Sequence, residues 1–96
     1  MQIRHPRRNS KKSKMLCLFI KLGDTGLNCF EAANLYSDYV LRTTVSDLQL
    51  DYDLEFARKY EMIQNKFGTM TACMRYWLDD VNKAKALAIL GNEAVL

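Results

Sequence analysis

The chain has 96 residues, of which 49% are hydrophobic and 26% are charged. This size and balance predict one globular domain, and the low content of glycine (four) and proline (one) excludes collagen-like and Pro/Gly-rich disordered chains. No apolar run reaches the roughly 18 residues that a membrane-spanning helix needs, so no membrane span is expected.

Positive charge is concentrated at the start of the chain. Residues 1–14 carry six cations and no acid, whereas residues 15–96 hold all eleven acids. Residues 1–14 contain only two apolar residues, Met1 and Ile3, and burying them cannot offset the entropy lost on ordering the segment. This predicts a flexible basic arm (1–14) before a single helical domain (15–96). Such an arm suits phosphate backbones, and the alternative is a solubilising tail. The candidate nucleic-acid contacts in the arm are Arg7, Arg8, Lys11 and Lys12.

A short apolar run and a turn follow the arm. Residues 16–22 fit a buried strand or the first turns of a helix, and periodicity does not decide between them over so short a length. Gly23-Asp24-Thr25-Gly26 then predicts a tight turn.

Asp24-Thr25-Gly26 resembles the D-T-G motif of retroviral-type aspartic proteases. Residues 89–92, Ile-Leu-Gly-Asn, are similar to the segment that supports the catalytic aspartate in that family. The resemblance implies an all-β homodimer in which Asp24 of each chain shares a proton with its counterpart. The chain departs from the family pattern at Leu27, where Ala or Ser is usual, and it has no glycine-rich flap. We therefore predict a turn there, no catalytic residue, no cofactor and no enzymatic activity.

The first clear helix begins at Asn28, because Glu31 lies three residues further on and completes a capping box. Polar residues then recur at helical spacing, and Asp38 and Arg42 form an i,i+4 acid–base pair. The β-branched residues 43–45 are expected to end this helix. The predicted solvent-exposed stripe comprises Glu31, Asn34, Asp38 and Arg42.

Two patterns compete in the next segment. Residues 48–56 alternate apolar and polar without a break, which is typical of a half-buried strand. A helical stripe runs twice as far, so we favour a helix over 47–67 that is capped by Ser46 and Gln49. A strand at 48–56 paired with 16–22 is the alternative. The stripe comprises Leu48, Tyr52, Phe56, Tyr60, Ile63 and Phe67.

A third helix is predicted to follow a break at Gly68. Thr69 is its candidate cap, Leu90 its last residue, and Gly91 the position that ends it. The short connection makes this helix antiparallel to the previous one. The predicted fold is therefore all-α: a small three-helix domain with a long antiparallel helical hairpin and, as an option, a short strand at 16–22.

The apolar helix stripes hold more aromatic surface than so small a core buries. This favours a small non-enzymatic regulatory or adaptor protein that docks on a larger protein partner, or forms a homodimer, through an apolar helix face. The candidate partner-binding residues are Tyr52, Phe56, Tyr60, Met74 and Trp77.

The alternative function is a nucleic-acid-binding transcriptional regulator. Residues 60–78 fit a helix-turn-helix with its break at 67–69, in which Arg75 would read bases while the basic arm contacts phosphates. Steep salt dependence of binding, lost on deletion of residues 1–14, would favour this alternative.

The cysteines and the histidine do not indicate a metal site. Cys17, Cys29 and Cys73 lack zinc-ligand spacing, and the single histidine, His5, lies in the arm. No cleavage pattern of a secretory signal follows the apolar run. We expect an intracellular protein, cytoplasmic or, in a eukaryotic cell, nuclear.

Overall fold

The computed structural model describes residues 11–91, which form four α-helices and a three-stranded antiparallel sheet. The helices are α1 (Lys11–Leu22), α2 (Cys29–Tyr36), α3 (Leu41–Tyr52) and α4 (Asp80–Leu90). The strands are β1 (Leu27–Asn28), β2 (Ala57–Gln64) and β3 (Met70–Trp77). A 3-10 turn, Gly23–Thr25, connects α1 to β1.

The all-α, helical-bundle prediction is wrong because residues 57–77 form a β-hairpin. The helix predicted over 47–67 is helical only as far as Tyr52, where Asp53 takes a left-handed conformation with φ of 53° and ends α3. Ser46, its predicted cap, lies inside α3 instead. The predicted long helical hairpin therefore does not exist.

The predicted third helix is β3 in its first part and α4 in its second. Asp79, rather than Thr69, caps α4, because its carboxylate accepts a hydrogen bond from the backbone N–H of Asn82 at 2.8 Å. The predicted end is confirmed, since Gly91 follows α4 with a φ of 61°. Within residues 11–91, none of the helices is long and apolar enough to cross a bilayer.

Residues 16–22 belong to α1, so the strand predicted there and its pairing with 48–56 are both wrong. Apolar residues recur along one face of α1, and all of that face is buried against α3 and α4. Phe19 packs edge-to-face on Phe56, with ring centroids 4.8 Å apart. The buried core includes Leu16, Phe19, Ile20, Leu41, Val45, Leu48, Tyr52, Phe56, Tyr76, Leu78 and Leu90.

The capping box at the start of α2 is confirmed. The side-chain oxygen of Asn28 accepts from the backbone N–H of Glu31 at 2.8 Å, and the Glu31 carboxylate accepts from the backbone N–H of Asn28 at 3.1 Å. The helix is shorter than expected, because Ser37 takes a left-handed conformation and ends it. Residues 43–45, which were expected to end this helix, lie inside α3.

The predicted solvent stripe fails at Asp38. This residue has 0% exposure and lies in the connection between α2 and α3. Its carboxylate bonds to Lys11 and Thr44 rather than to Arg42. A charged group that sequence periodicity placed in solvent is thus part of the interior.

The sheet has the order β1-β3-β2, so β2 is an edge strand. The β2–β3 ladder runs from Ala57 opposite Trp77 to Gln64 opposite Met70. The short β1 pairs only with Tyr76 and Arg75. From Met74 to the tip, the hairpin is therefore a two-stranded ribbon.

Candidate protein-interaction surface

The tip of the hairpin is an ordered loop of three residues, 66–68, which Asn65 and Thr69 close. The backbone N–H of Asn65 donates to the carbonyl of Thr69 at 2.8 Å, and Gly68 takes a φ of 81°, as the third loop residue requires. The Asn65 side chain accepts from the backbone N–H of Phe67 at 2.9 Å. This network fixes the backbone of Phe67, whose side chain is 92% exposed.

One face of the ribbon is mostly apolar and mostly exposed, with Gln64 as the polar residue nearest the tip. Directly opposite residues of an antiparallel pair share a face, so the register places Tyr60 with Met74 and Met62 with Ala72 on one side. Met70 lies on the same side at the end of the ladder. Tyr60, Met62 and Met70 are 70%, 59% and 57% exposed. We call Tyr60, Met62, Met70, Ala72 and Met74, with Phe67 at the tip, the hairpin face.

The other face of the ribbon is fixed to the body by Arg75. Its Nε donates to Glu61 at 2.8 Å and its Nη1 donates to the carbonyl of Thr25 at 2.8 Å. Nη1 also lies 2.9 Å from a Glu31 carboxylate oxygen. The Asn28 amide donates to the second Glu61 oxygen at 2.7 Å. Arg75 thereby ties β3 to β2, to the 3-10 turn and to α2.

The charges in this network stabilise one another. The hydrogen bonds from Arg75 and then from Asn28 lower the pKa of Glu61. The carboxylates of Glu61 and Glu31 in turn raise the pKa of Arg75. The positive charge of Arg75 is therefore balanced by the carboxylates of Glu31 and Glu61.

Arg75→Met is expected to lower the free energy of unfolding by roughly 1–3 kcal/mol, because several charge-assisted bonds are lost together. Arg42→Met, at an exposed arginine, should change it by less than about 0.5 kcal/mol. Urea denaturation followed by circular dichroism measures both. Equal effects of the two substitutions would mean that the Arg75 network contributes little.

The predicted partner-binding residues do not lie on one surface. Tyr52 and Phe56 are core residues with 3% and 2% exposure. Tyr60 is exposed on the hairpin face, and Met74 is half-buried on the same face. Trp77 is half-buried on the opposite face, beside Ala57. Only Tyr60 and Met74 are thus brought together.

The predicted partner-binding residues did not include Met62, Phe67 or Met70. Their exposure follows from the two-residue period of the strands rather than from a helical period. The signal that could have found them is the Asn65 and Gly68 pair, which suits a short hairpin loop.

The structure contradicts one of the nucleic-acid predictions and does not test another. Residues 60–78 form strands, so the helix-turn-helix prediction is wrong. Arg7 and Arg8 lie outside the described residues, and phosphate binding by them stays a prediction. Lys11 and Lys12 lie in α1, where their ammonium groups bond Asp38 at 2.9 Å and Asp51 at 2.6 Å.

The Asp-Thr-Gly turn has a packing role. Asp24 is exposed in the 3-10 turn, the Thr25 carbonyl accepts from Arg75, and Gly26 is buried against β3. The surrounding fold is not the all-β fold that the protease resemblance implies. Asn92, the last residue of the supporting segment in that resemblance, lies outside the described residues.

A cavity of about 360 Å³ opens at the end of the hairpin face that is nearest the body of the protein. Its lining includes Arg42, Arg58, Tyr60 and Met74. The Arg58 guanidinium lies 5.2 Å from the centre of the Tyr76 ring, which is a cation–π contact. The side of the hairpin face nearest the body is therefore both aromatic and basic.

Cys29 and Cys73 line the same cavity. Burial, followed by the influence of Cys29, raises the pKa of the Cys73 thiol to about 11, so this thiol is protonated at neutral pH. Within residues 11–91, no three His, Cys, Asp or Glu side chains are grouped as a metal site.

No protein-family model matches this chain, and neither a curated protein nor a solved structure does.

Proposed function

We propose that this protein is a non-enzymatic interaction protein that binds a larger protein partner through the hairpin face. The observation that supports the proposal is a row of exposed aromatic and methionine side chains on an ordered ribbon. Exposed contiguous apolar surface of this kind is typical of protein interaction sites, and methionine adapts to irregular partner surfaces. Phe67 at the tip has the character of an anchor residue, since aromatic side chains dominate binding energies.

The charge around the hairpin face defines the chemistry of the partner. The segment 57–78 carries four cations and one acid, and that acid, Glu61, is held by Arg75. Arg58 lies on the same side of the sheet as the hairpin face, and Lys66 lies in the loop at its tip. Neither forms a salt bridge with any residue between 11 and 91. The partner surface is therefore apolar at its centre and carries carboxylates at its rim.

Site-specific photo-cross-linking tests this function. A photoreactive phenylalanine analogue replaces Met62 in one sample and Tyr39 in another, because Tyr39 is also exposed (77%) but lies in the α2–α3 connection. In extracts of cells that express the protein, we expect the probe at 62 alone to give a discrete adduct to one protein, identified by mass spectrometry. Purified partner should then bind wild-type chain more weakly as salt rises.

The matched control is a variant that removes the apolar anchor without disturbing the fold. Phe67→Ser should leave the free energy of unfolding within about 0.5 kcal/mol of wild type, since the side chain is 92% exposed. It should weaken binding of the purified partner at least tenfold. Unchanged binding by Phe67→Ser, or equal adducts from the two probe positions, would contradict docking through the hairpin face.

A further inference from the structure

We infer that a second copy of this chain pairs with the free edge of β2, in an antiparallel register that places Tyr60 opposite Tyr60 of the second copy. This contact goes beyond the proposed function, because it uses the edge of the sheet rather than the hairpin face. The structural reason to expect a strand there is the position of β2 at the end of the sheet order.

The edge of β2 offers backbone groups along its whole length. An edge strand presents unpaired N–H and C=O groups that form a template for another strand. The strand is eight residues long, and most of its side chains are exposed. By contrast, β1 pairs with β3 at Arg75 and Tyr76, and Cys29 of α2 lies beside Cys73, so the free edge of β3 is limited to its end near the loop.

The order of charges along β2 selects the second copy as the occupant. Lys59 and Glu61 flank Tyr60 and share one face of the sheet. Glu61 and Glu31 share the single positive charge of Arg75, so this group keeps one net negative charge that can face a lysine. When two such strands run antiparallel with Tyr60 on the twofold axis, each Lys59 stands directly opposite Glu61 of the other strand. Opposite charges in direct cross-strand pairs are stabilising, and like charges are destabilising.

Neighbouring registers lose this complementarity. In a twofold antiparallel pair of β2 strands, the axis passes beside one residue that stands opposite its own copy, and opposite residues lie on the same face. The alternative registers are therefore those in which a different residue of β2 lies on the axis. An axis at Lys59 opposes two lysines, and an axis at Glu61 opposes two glutamates. An axis at Met62 leaves both charges opposite uncharged residues. The charge pattern therefore favours the register centred on Tyr60.

The dimer would enlarge the apolar surface. Because the axis stands perpendicular to the sheet, the hairpin face of each copy lies on the same side of the joined sheet. The two Tyr60 rings meet at the centre, and Met62 and Met74 extend the surface on both sides. A larger partner would then meet one continuous face from two chains.

Disulfide trapping of the full chain tests the register. Tyr60→Cys, in a Cys29→Ser background that removes the exposed native thiol, places two thiols on the axis at the Cα separation of a direct cross-strand pair, about 5 Å. Oxidised glutathione should convert this variant to a disulfide-linked dimer by thiol–disulfide exchange, with reduced glutathione released. Met62→Cys in the same background is the matched control, since its thiols would stand about 14 Å apart along the strand direction.

Charge reversal tests the pairing without a cross-link. Lys59→Glu sets glutamate opposite glutamate at two symmetric places, and it should raise the dimer dissociation constant about tenfold in light scattering or sedimentation. Lys14→Glu makes the same change of charge in α1 and should leave the constant within twofold.

Each outcome supports the inference or overturns it. Selective trapping at position 60 with weakening by Lys59→Glu supports it. Trapping at position 62 instead, equal trapping at both, or a monomeric mass at every concentration overturns it. A monomeric chain that still gives the partner adduct from position 62 would overturn the dimer alone and leave the proposed function standing.

Discussion

Gly26→Ala is expected to lower the free energy of unfolding by at least about 3 kcal/mol. Gly26 has φ of 58° and ψ of −157°, a region that side chains with a Cβ essentially do not adopt. A Cβ at this position would stand 1.9 Å from the Tyr76 carbonyl oxygen and 2.8 Å from Cβ of Trp77. Since both obstacles belong to β3 and one is backbone, β1 would have to separate from β3 to make room.

Gly23→Ala provides the matched control for Gly26→Ala. Gly23 also has a positive φ, 55°, but a Cβ there would meet nothing within 4 Å. Its substitution should therefore cost only the backbone strain, about 1 kcal/mol. Urea denaturation of both variants, followed by circular dichroism and Trp77 fluorescence, measures the difference. Equal losses would show that the approach of β1 to β3 does not limit this position.

A Cβ would collide with β3 at Gly26 but would meet nothing at Gly23, so Gly26 is the position of the turn that allows close packing. The turn brings the Thr25 carbonyl within reach of Arg75 and lets β1 lie directly on β3. The D-T-G resemblance described the residues of the turn correctly but implied a catalytic role. The close packing of Gly26 against β3 gives a structural reason for the glycine of this turn.

Short-range features of the fold were predictable from the sequence. The capping box of Asn28 and Glu31 and the end of α4 at Gly91 both depend on contacts within one turn of helix. Such contacts are encoded by residues a few positions apart, so a local pattern is sufficient to identify them.

The hairpin was not predicted because two periods coincide in its sequence. Tyr60, Ile63 and Phe67 continue the helical spacing of Leu48 and Tyr52, and this coincidence extended the predicted helix through a strand. The helix in fact ends at Asp53, and the side chain of Gln49 then bonds the backbone N–H of Phe56 at 3.0 Å. That contact ties the connection between α3 and β2, in which Phe56 lies, to the last turns of α3.

The candidate site was missed in part for the same reason. A helical period assigns Tyr52, Phe56 and Tyr60 to one face, whereas the structure buries the first two and exposes the third. The ion pairs of Arg75 were likewise not predictable from the sequence, because its partners Glu31 and Glu61 are 44 and 14 residues away. Long-range ion pairs decide whether an arginine is available to a ligand, and a local pattern does not contain them.

Asp38 shows the same limitation in the core, and it carries the second large expected effect. Its side chain is fully buried, and its Oδ1 accepts from Nζ of Lys11 at 2.9 Å and from the backbone N–H of Val40 at 3.1 Å. Its Oδ2 accepts from the Thr44 hydroxyl at 2.8 Å. One carboxylate thus connects α1, the α2–α3 connection and α3.

Asp38→Asn is expected to lower the free energy of unfolding by about 2–3 kcal/mol at pH 6. The amide retains the shape of the carboxylate, but it loses the charge that holds Lys11 and places an N–H₂ group against donors. Asp24→Asn, at an exposed aspartate, should change the free energy of unfolding by less than about 0.5 kcal/mol. A loss at Asp38 no larger than that at Asp24 would contradict the structural role of the buried carboxylate.

The pH dependence of this loss follows from the pKa of Asp38. Burial acts to raise that pKa, but the hydrogen bonds from Lys11, Thr44 and Val40 outweigh burial, and the net pKa lies below the ordinary value of 3.8. Because the folded state favours the ionised form, this contribution is fully present above pH about 4 and disappears as the pH falls through the folded pKa. Denaturation midpoints of wild type and Asp38→Asn should therefore differ by a constant amount from pH 5 to 7 and converge below pH 4. A difference that stays constant down to pH 2 would mean that the lost stability comes from packing rather than from the charge of Asp38.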